Sequence, residues 1–182
     1  MKRLLIFFSL FFVLFCTRAQ AYHSDDKEGL RIFLRQNENF KKIGIEEVDT
    51  LSWQDSEWWV AIAKGLTWNN SSPKRLKKIN WCNYKLKGDL NCNKWEELVH
   101  ANFEMNFIFS LILNKNSNLT FLTCCNNKIS SLDINNNPLL TNLDCSQNQL
   151  ISLGLSKNMN LSVLKCFNNK LTSFRAKSLK LA

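Results

Sequence analysis

Apolar positions in the second half of the chain recur with a fixed step. Leu119, Leu140 and Leu161 lie 21 residues apart, and Leu122, Leu143 and Leu164 follow three residues later in each unit. Cys124, Cys145 and Cys166 keep the same step, as do Asn127, Asn148 and Asn169. Ile129, Leu150 and Leu171 come two residues after each Asn. Leu122 and Cys124 are two apart, which puts both side chains on one face of an extended strand and Thr123 and Cys125 on the other. A single unit cannot bury that face alone, whereas stacked units can, so the pattern predicts a solenoid.

Each unit repeats its own grammar. Ile129, Leu132, Ile134 and Asn137 have the spacing of Leu119, Leu122, Cys124 and Asn127, and Leu150, Leu153, Leu155 and Asn158 do the same. Two extended, inward-facing segments per coil are therefore expected, with short strands on the convex side too, since no 3.6-residue stripe fits a half-unit of about ten residues. Upstream, Leu98, Ala101, Phe103, Asn106, Ile108, Leu111, Leu113 and Asn116 match the template. One step earlier Leu76, Ile79, Trp81 and Leu86 match, with Tyr84 in the place of Asn. The fold class is a β-rich solenoid of about five 21–22-residue coils with parallel concave strands, beginning near residue 76. The repeated Asn ends each concave strand, where its amide satisfies backbone groups of its own and adjacent coils.

Residues 22–75 read as an N-terminal cap of helices and a hairpin, and residues 76–182 as the array. Leu30, Phe33 and Leu34 share one face of a helix over 22–37, with Asp25 and Asp26 at its N-terminal end. A second amphipathic stretch is expected over Ser56–Lys64 and a loop around Lys41–Trp53. Leu66–Trp68 and Leu76–Trp81 form a hairpin that shields the open edge of the first coil. At the other end no distinct cap is visible, and Arg175, Lys177 and Lys180 make the last half-turn basic.

The unit L-x-x-L-x-C-x-x-N-x-L is the leucine-rich repeat signature with Cys at one apolar position. Together with Gly65-Leu66-Thr67-Trp68-Asn69, Ser72-Pro73-Lys74-Arg75-Leu76, Trp81 and Leu86-Lys87-Gly88, it resembles the cap-to-array junction of exported bacterial leucine-rich repeat surface proteins. The resemblance covers about residues 25–175. It implies a scaffold and leaves function to the surface it displays.

The N-terminus agrees with export. Lys2 and Arg3 precede an apolar run from Leu4 to Phe15, and Ala19-Gln20-Ala21 offers a signal-peptidase site, so residues 1–21 read as a signal peptide cleaved near Ala21. The run is too short to span a bilayer. The expected location is secreted or at the cell surface. The full chain of 182 residues carries 24 Lys plus Arg against 15 Asp plus Glu, a net +9. Removing Lys2, Arg3 and Arg18 leaves 21 against 15, or +6. Lys74, Arg75, Lys77 and Lys78 form a local basic run. Export and the mixed charge of the concave face argue for a solvated surface there, and nucleic acid is not an expected partner.

Concave scaffold surfaces bind macromolecules. The outward strand positions His100, Asn102, Glu104, Phe121, Thr123, Asn142, Asp144, Lys165 and Phe167 are therefore the candidate ligand-binding residues. Their mix of amides, charges and two Phe suits a protein, peptide or glycan partner. The competing reading is a non-enzymatic structural protein or the remnant of a larger repeat protein, and a Cys-dependent enzyme stands a distant third. Catalysis lacks parts: His23 and His100 are the only two His, and Cys125 and His100 fall roughly 13 Å apart along neighbouring strands. No catalytic, cofactor or metal site is assigned. Cys124, Cys145 and Cys166 read as a reduced core ladder. Cys82 and Cys92 are placed to close one loop by a disulfide, with the alternative that both are free. Cys125 is left over, either an exposed reactive thiol or an inert one.

Overall fold

The protein is described from a computed structural model, which covers residues 24–36, 39–42, 65–70, 73 and 75–175. The expected signal peptide, the amphipathic stretch over Ser56–Lys64, most of the loop around Lys41–Trp53 and the basic tail beyond Arg175 lie outside the described residues.

Two helices come first, α1 (Ser24–Arg35) and the single-turn α2 (Asn39–Lys42), followed by strands β1 (Leu66–Trp68) and β2 (Leu76–Asn80). The array then runs β3 (Lys87–Asn91), β4 (His100–Asn102), β5 (Phe107–Ile112), β6 (Phe121–Thr123) and β7 (Asn142–Asp144). It ends with β8 (Ser152–Gly154), β9 (Val163–Lys165) and β10 (Ser173–Arg175). Six strands form one sheet in the order β1-β2-β4-β6-β7-β9. Five of them are parallel, and β1 closes the first edge as the antiparallel arm of the expected hairpin, Leu66 opposite Ile79. The chain is thus a solenoid of about four full turns, and the sheet is its concave wall.

The convex wall is built as the half-unit spacing predicts. β3 pairs with β5 and β8 with β10, both parallel. Between them the coil over 131–134 is extended without strand pairing. A register shift between Gly88 and Asp89 interrupts the first pair. Leu119, Leu122, Leu140, Leu143, Leu150, Leu153 and Leu161 form one interior with Cys124 and Cys145. Burying a Leu contributes about 1.5–3 kcal/mol, and each coil supplies several.

Two columns of buried Asn tie the coils together. Asn127 accepts the Ile108 N–H through Oδ1 (2.9 Å) and donates from Nδ2 to the carbonyls of Phe103, Cys124 and Cys125. Asn106, Asn148 and Asn169 repeat the arrangement, receiving the N–H groups of Leu86, Ile129 and Leu150. At the opposite edge Asn116, Asn137 and Asn158 donate to carbonyls of their predecessors, as Asn137 does to Leu113 and Asn116. The chain bends after each concave strand at Asn83, Met105, Asn126, Gln147 and Asn168, all with φ between 53° and 60°.

The cap is keyed to the first coil by charge as well as by packing. Leu30, Phe33 and Leu34 are buried, with Phe33 stacked on Trp81 and Trp81 edge-on to Trp95. A Cβ at Gly29 would sit 2.6 Å from Trp95 Nε1, so only Gly lets the helix approach this closely. Asp26 differs from its expected role. It lies inside the first helical turn and is fully buried, where its carboxylate accepts Arg75 Nε (3.0 Å) and the Leu76 N–H (2.7 Å). Removing one partner of such a pair costs about 3–5 kcal/mol.

Replacing Asn127 by Ala strands one N–H and several carbonyls in the interior. Urea unfolding should show a loss of about 2–4 kcal/mol. A change below about 0.5 kcal/mol, within the scatter of surface substitutions, would mean the amide column is dispensable.

Candidate functional site

The strand register sets the concave face in rows. Lys78, His100, Phe121, Asn142 and Val163 stand abreast, and Asn80, Asn102, Thr123, Asp144 and Lys165 form the next row. Beyond the strand ends a third row follows, Cys82, Glu104, Cys125, Ser146 and Phe167. The structure therefore brings all nine candidate residues onto one wall.

The first row has an aromatic centre. His100 and Phe121 stack with ring centroids 4.2 Å apart and planes 4° from parallel. Burial, then the charge of Lys78, holds the His100 imidazolium below its ordinary pKa, so the ring is neutral at pH 7. Strand neighbours stand about 4.8 Å apart. The stack thus runs along the solenoid axis, and each ring turns its edge, not its face, to the open side. Thr120, Thr141 and Ser162 flank this row, each hydroxyl donating to a carbonyl of the preceding coil.

The other candidates differ in availability. Thr123 is only 8% exposed and lies deep between Asn102 and Asp144. Asn102 Oδ1 accepts the Glu104 N–H (3.0 Å), and Asp144 Oδ1 accepts the Ser146 N–H and hydroxyl, which fixes both side chains in the turns. Asp144 also lies 3.8 Å from Lys165. At the last coil Val163 and Phe167 are 41% and 56% exposed, an apolar pair beside the polar rows.

The cysteines resolve differently from two of the alternatives the spacing left open. Cys82 and Cys92 are free thiols, not a disulfide. Cys92 is locked in the core, whereas Cys82 is half-buried, its pKa raised by burial and by the nearby charge of Glu104. Cys125 is 7% exposed, not a surface thiol. Burial, with the carboxylates of Asp144 and Glu104 nearby, pushes its pKa up to about 12. It is neither ionised at neutral pH nor directed at His100. Cys124, Cys145 and Cys166 are free thiols on successive coils, with Cys145 also pushed up to about 12, chiefly by burial.

Sequence reasoning missed the exposed pair Phe107 and Phe109 on β5, where Lys128 lies over the first ring (5.3 Å) and Lys87 over the second (5.9 Å). Their alternation with the buried Ile108 was a readable signal for an outward-facing convex row.

No protein-family model matches the chain, and no curated protein matches it. Among solved structures it is similar to the functional domain of InlJ from Listeria monocytogenes, described as including a cysteine ladder, with 24% identity and a TM-score of 0.28. That match covers 47% of this chain, which spans only 28% of the other. It is also similar to the leucine-rich repeat ectodomain of the receptor kinase SOBIR1 from Arabidopsis thaliana, with 13% identity and a TM-score of 0.49 over 84% of this chain and 96% of that one. These structural neighbours are leucine-rich repeat proteins.

A variant with Cys82→Ser and Cys166→Ser isolates the Cys125 thiol for labelling. Its reaction with a disulfide reagent in the folded state should be slow at pH 7 and rise about tenfold per pH unit toward 12, following the thiolate fraction. Rapid labelling at pH 7 would place Cys125 in a different environment.

Proposed function

We propose that the chain is an exported binding module that holds a protein or peptide on its concave sheet, with residues 1–21 as a signal peptide, 22–75 as the cap and 76–182 as the recognising array. The observation that carries this reading is the His100–Phe121 stack at the centre of a six-stranded sheet. It is a rigid, half-buried apolar ridge with polar rows beside it, the anatomy of a hot spot within a polar rim.

The ring orientation favours protein over glycan as the partner. Sugars pack their C–H faces on open aromatic faces, and here the stack takes up one face of each ring. What the ridge offers is ring edges, which carry partial positive charge and suit carbonyl and carboxylate oxygens. The Asn142 amide and the Lys165 ammonium, on the neighbouring strands, add donors of the same preference. The neutral His100 keeps a ring nitrogen able to accept or donate.

Chemistry at this wall is disfavoured by its thiols. The Cys125 thiol on this face is held protonated at neutral pH by burial and by the nearby carboxylates of Asp144 and Glu104. A non-catalytic recognition role follows.

The test is a panel of surface proteins and peptides probed with the chain lacking residues 1–21, followed by the variant His100→Ala/Phe121→Ala on any partner found. Loss of the central ridge should weaken binding at least tenfold, about 1.4 kcal/mol or more. Full retention, with the fold checked by circular dichroism, would remove the concave wall as the site.

A further inference from the structure

The long edge of the solenoid, where each coil leaves the concave strand and enters the convex wall, carries a second surface of different character. Its register is set by backbone hydrogen bonds: Phe107, Lys128, Gln149 and Lys170 each donate to the preceding coil, to Leu86, Ile108, Ile129 and Leu150 respectively. Lys85 occupies the same position in the first coil. Lys85, Lys128 and Lys170 are all exposed, and no carboxylate pairs with any of them among the described residues. They fall on alternate coils, roughly 10 Å apart along the axis.

The neighbouring rows add no negative charge. The row of Asn126 on one side and the row of Ser130 on the other contain no Asp or Glu across five coils, and the latter begins with Lys87. The nearest acids, Glu104 and Asp89, lie outside this band. The opposite edge is the natural comparison. It too carries a row of three lysines, Lys94, Lys115 and Lys157, but Asp25 and Glu96 sit 3.6 Å from the first two. Lysines stand on both edges, and among the described residues only the Lys94 edge pairs its lysines with acids.

We propose that the Lys85–Lys128–Lys170 edge binds a linear anionic polysaccharide running along the solenoid axis, independently of the concave wall. Three positive charges over about 20 Å of axis match a polymer with regularly spaced sulfate or carboxylate groups. The exposed amides of Asn126, Gln147 and Gln149 supply hydrogen-bonding partners for its hydroxyls. A single-stranded nucleic acid offers the same charge but also requires open aromatic faces for its bases. On this edge one face of Phe107 lies under Lys128 and one face of Phe109 under Lys87. The Lys128 ammonium over the Phe107 ring still has N–H donors for an anion.

Heparin is the probe, titrated against the folded chain at two salt concentrations, with an oligo(dT) of equal charge as the alternative polymer. Lys85→Gln/Lys128→Gln/Lys170→Gln should weaken heparin binding at least tenfold and flatten its salt dependence by about two to three ions released. Lys94→Gln/Lys115→Gln/Lys157→Gln, which removes the same charge from the other edge, should change it less than twofold. Phe121→Ala should leave heparin binding intact, which separates this site from the concave one. Equal loss in the two triple variants, tighter binding of oligo(dT), or no heparin binding by the parent chain would overturn the proposal.

Discussion

The structure depends on a side-chain amide that does the work of a strand. At the end of each concave strand the chain turns inward, and the backbone there has no sheet partner of its own. Asn106, Asn127, Asn148 and Asn169 fill that gap, each accepting at least one N–H from the preceding coil and donating to carbonyls of two coils. An unpaired buried amide or carbonyl costs about 1–3 kcal/mol, so these bonds decide whether a coil this tight exists at all. Asn suits the position because it presents a donor and an acceptor on a short stem. The left-handed residue just before each Asn aims the amide inward.

That constraint shapes the functional surfaces. Because each turn is fixed by backbone-to-amide bonds, successive coils repeat without drift, and side chains on both walls line up in rows. A row of rings becomes a stack, as at His100 and Phe121, and a row of lysines becomes a charged edge. Rows also hide residues. Thr123, Cys125 and Ser146 point outward by strand alternation yet are buried, because neighbours stand on both sides. The recognising part of the concave wall is therefore narrower than alternation alone implies.

Much of this was legible in the chain itself. The 21-residue recurrence of Leu, Cys and Asn located five parallel strands and the convex half-units, because periodicity reports which side chains share a face, and strand and turn residues over 66–81 located the capping hairpin. It did not report depth or long-range partners. Asp26 looked like a helix cap, and only the packing of α1 on the first coil reveals it as the buried counter-ion of Arg75. Cys82 and Cys92 sat at a distance that suited a bridge, yet the walls carry them to opposite sides of the coil. Phe107 and Phe109 flank the buried Ile108, and they are exposed because no second layer among the described residues covers their convex strand.

Amide hydrogen exchange on the unmodified chain tests the Asn column most directly. The N–H groups of Leu86, Ile108, Ile129 and Leu150 each pair with an Asn side chain of the next coil. They should be as protected as those of Leu122 and Leu143 in the sheet. If these four amides instead exchange at the rate of open turns such as that around Asn135, the side chains do not bridge the coils and the account fails.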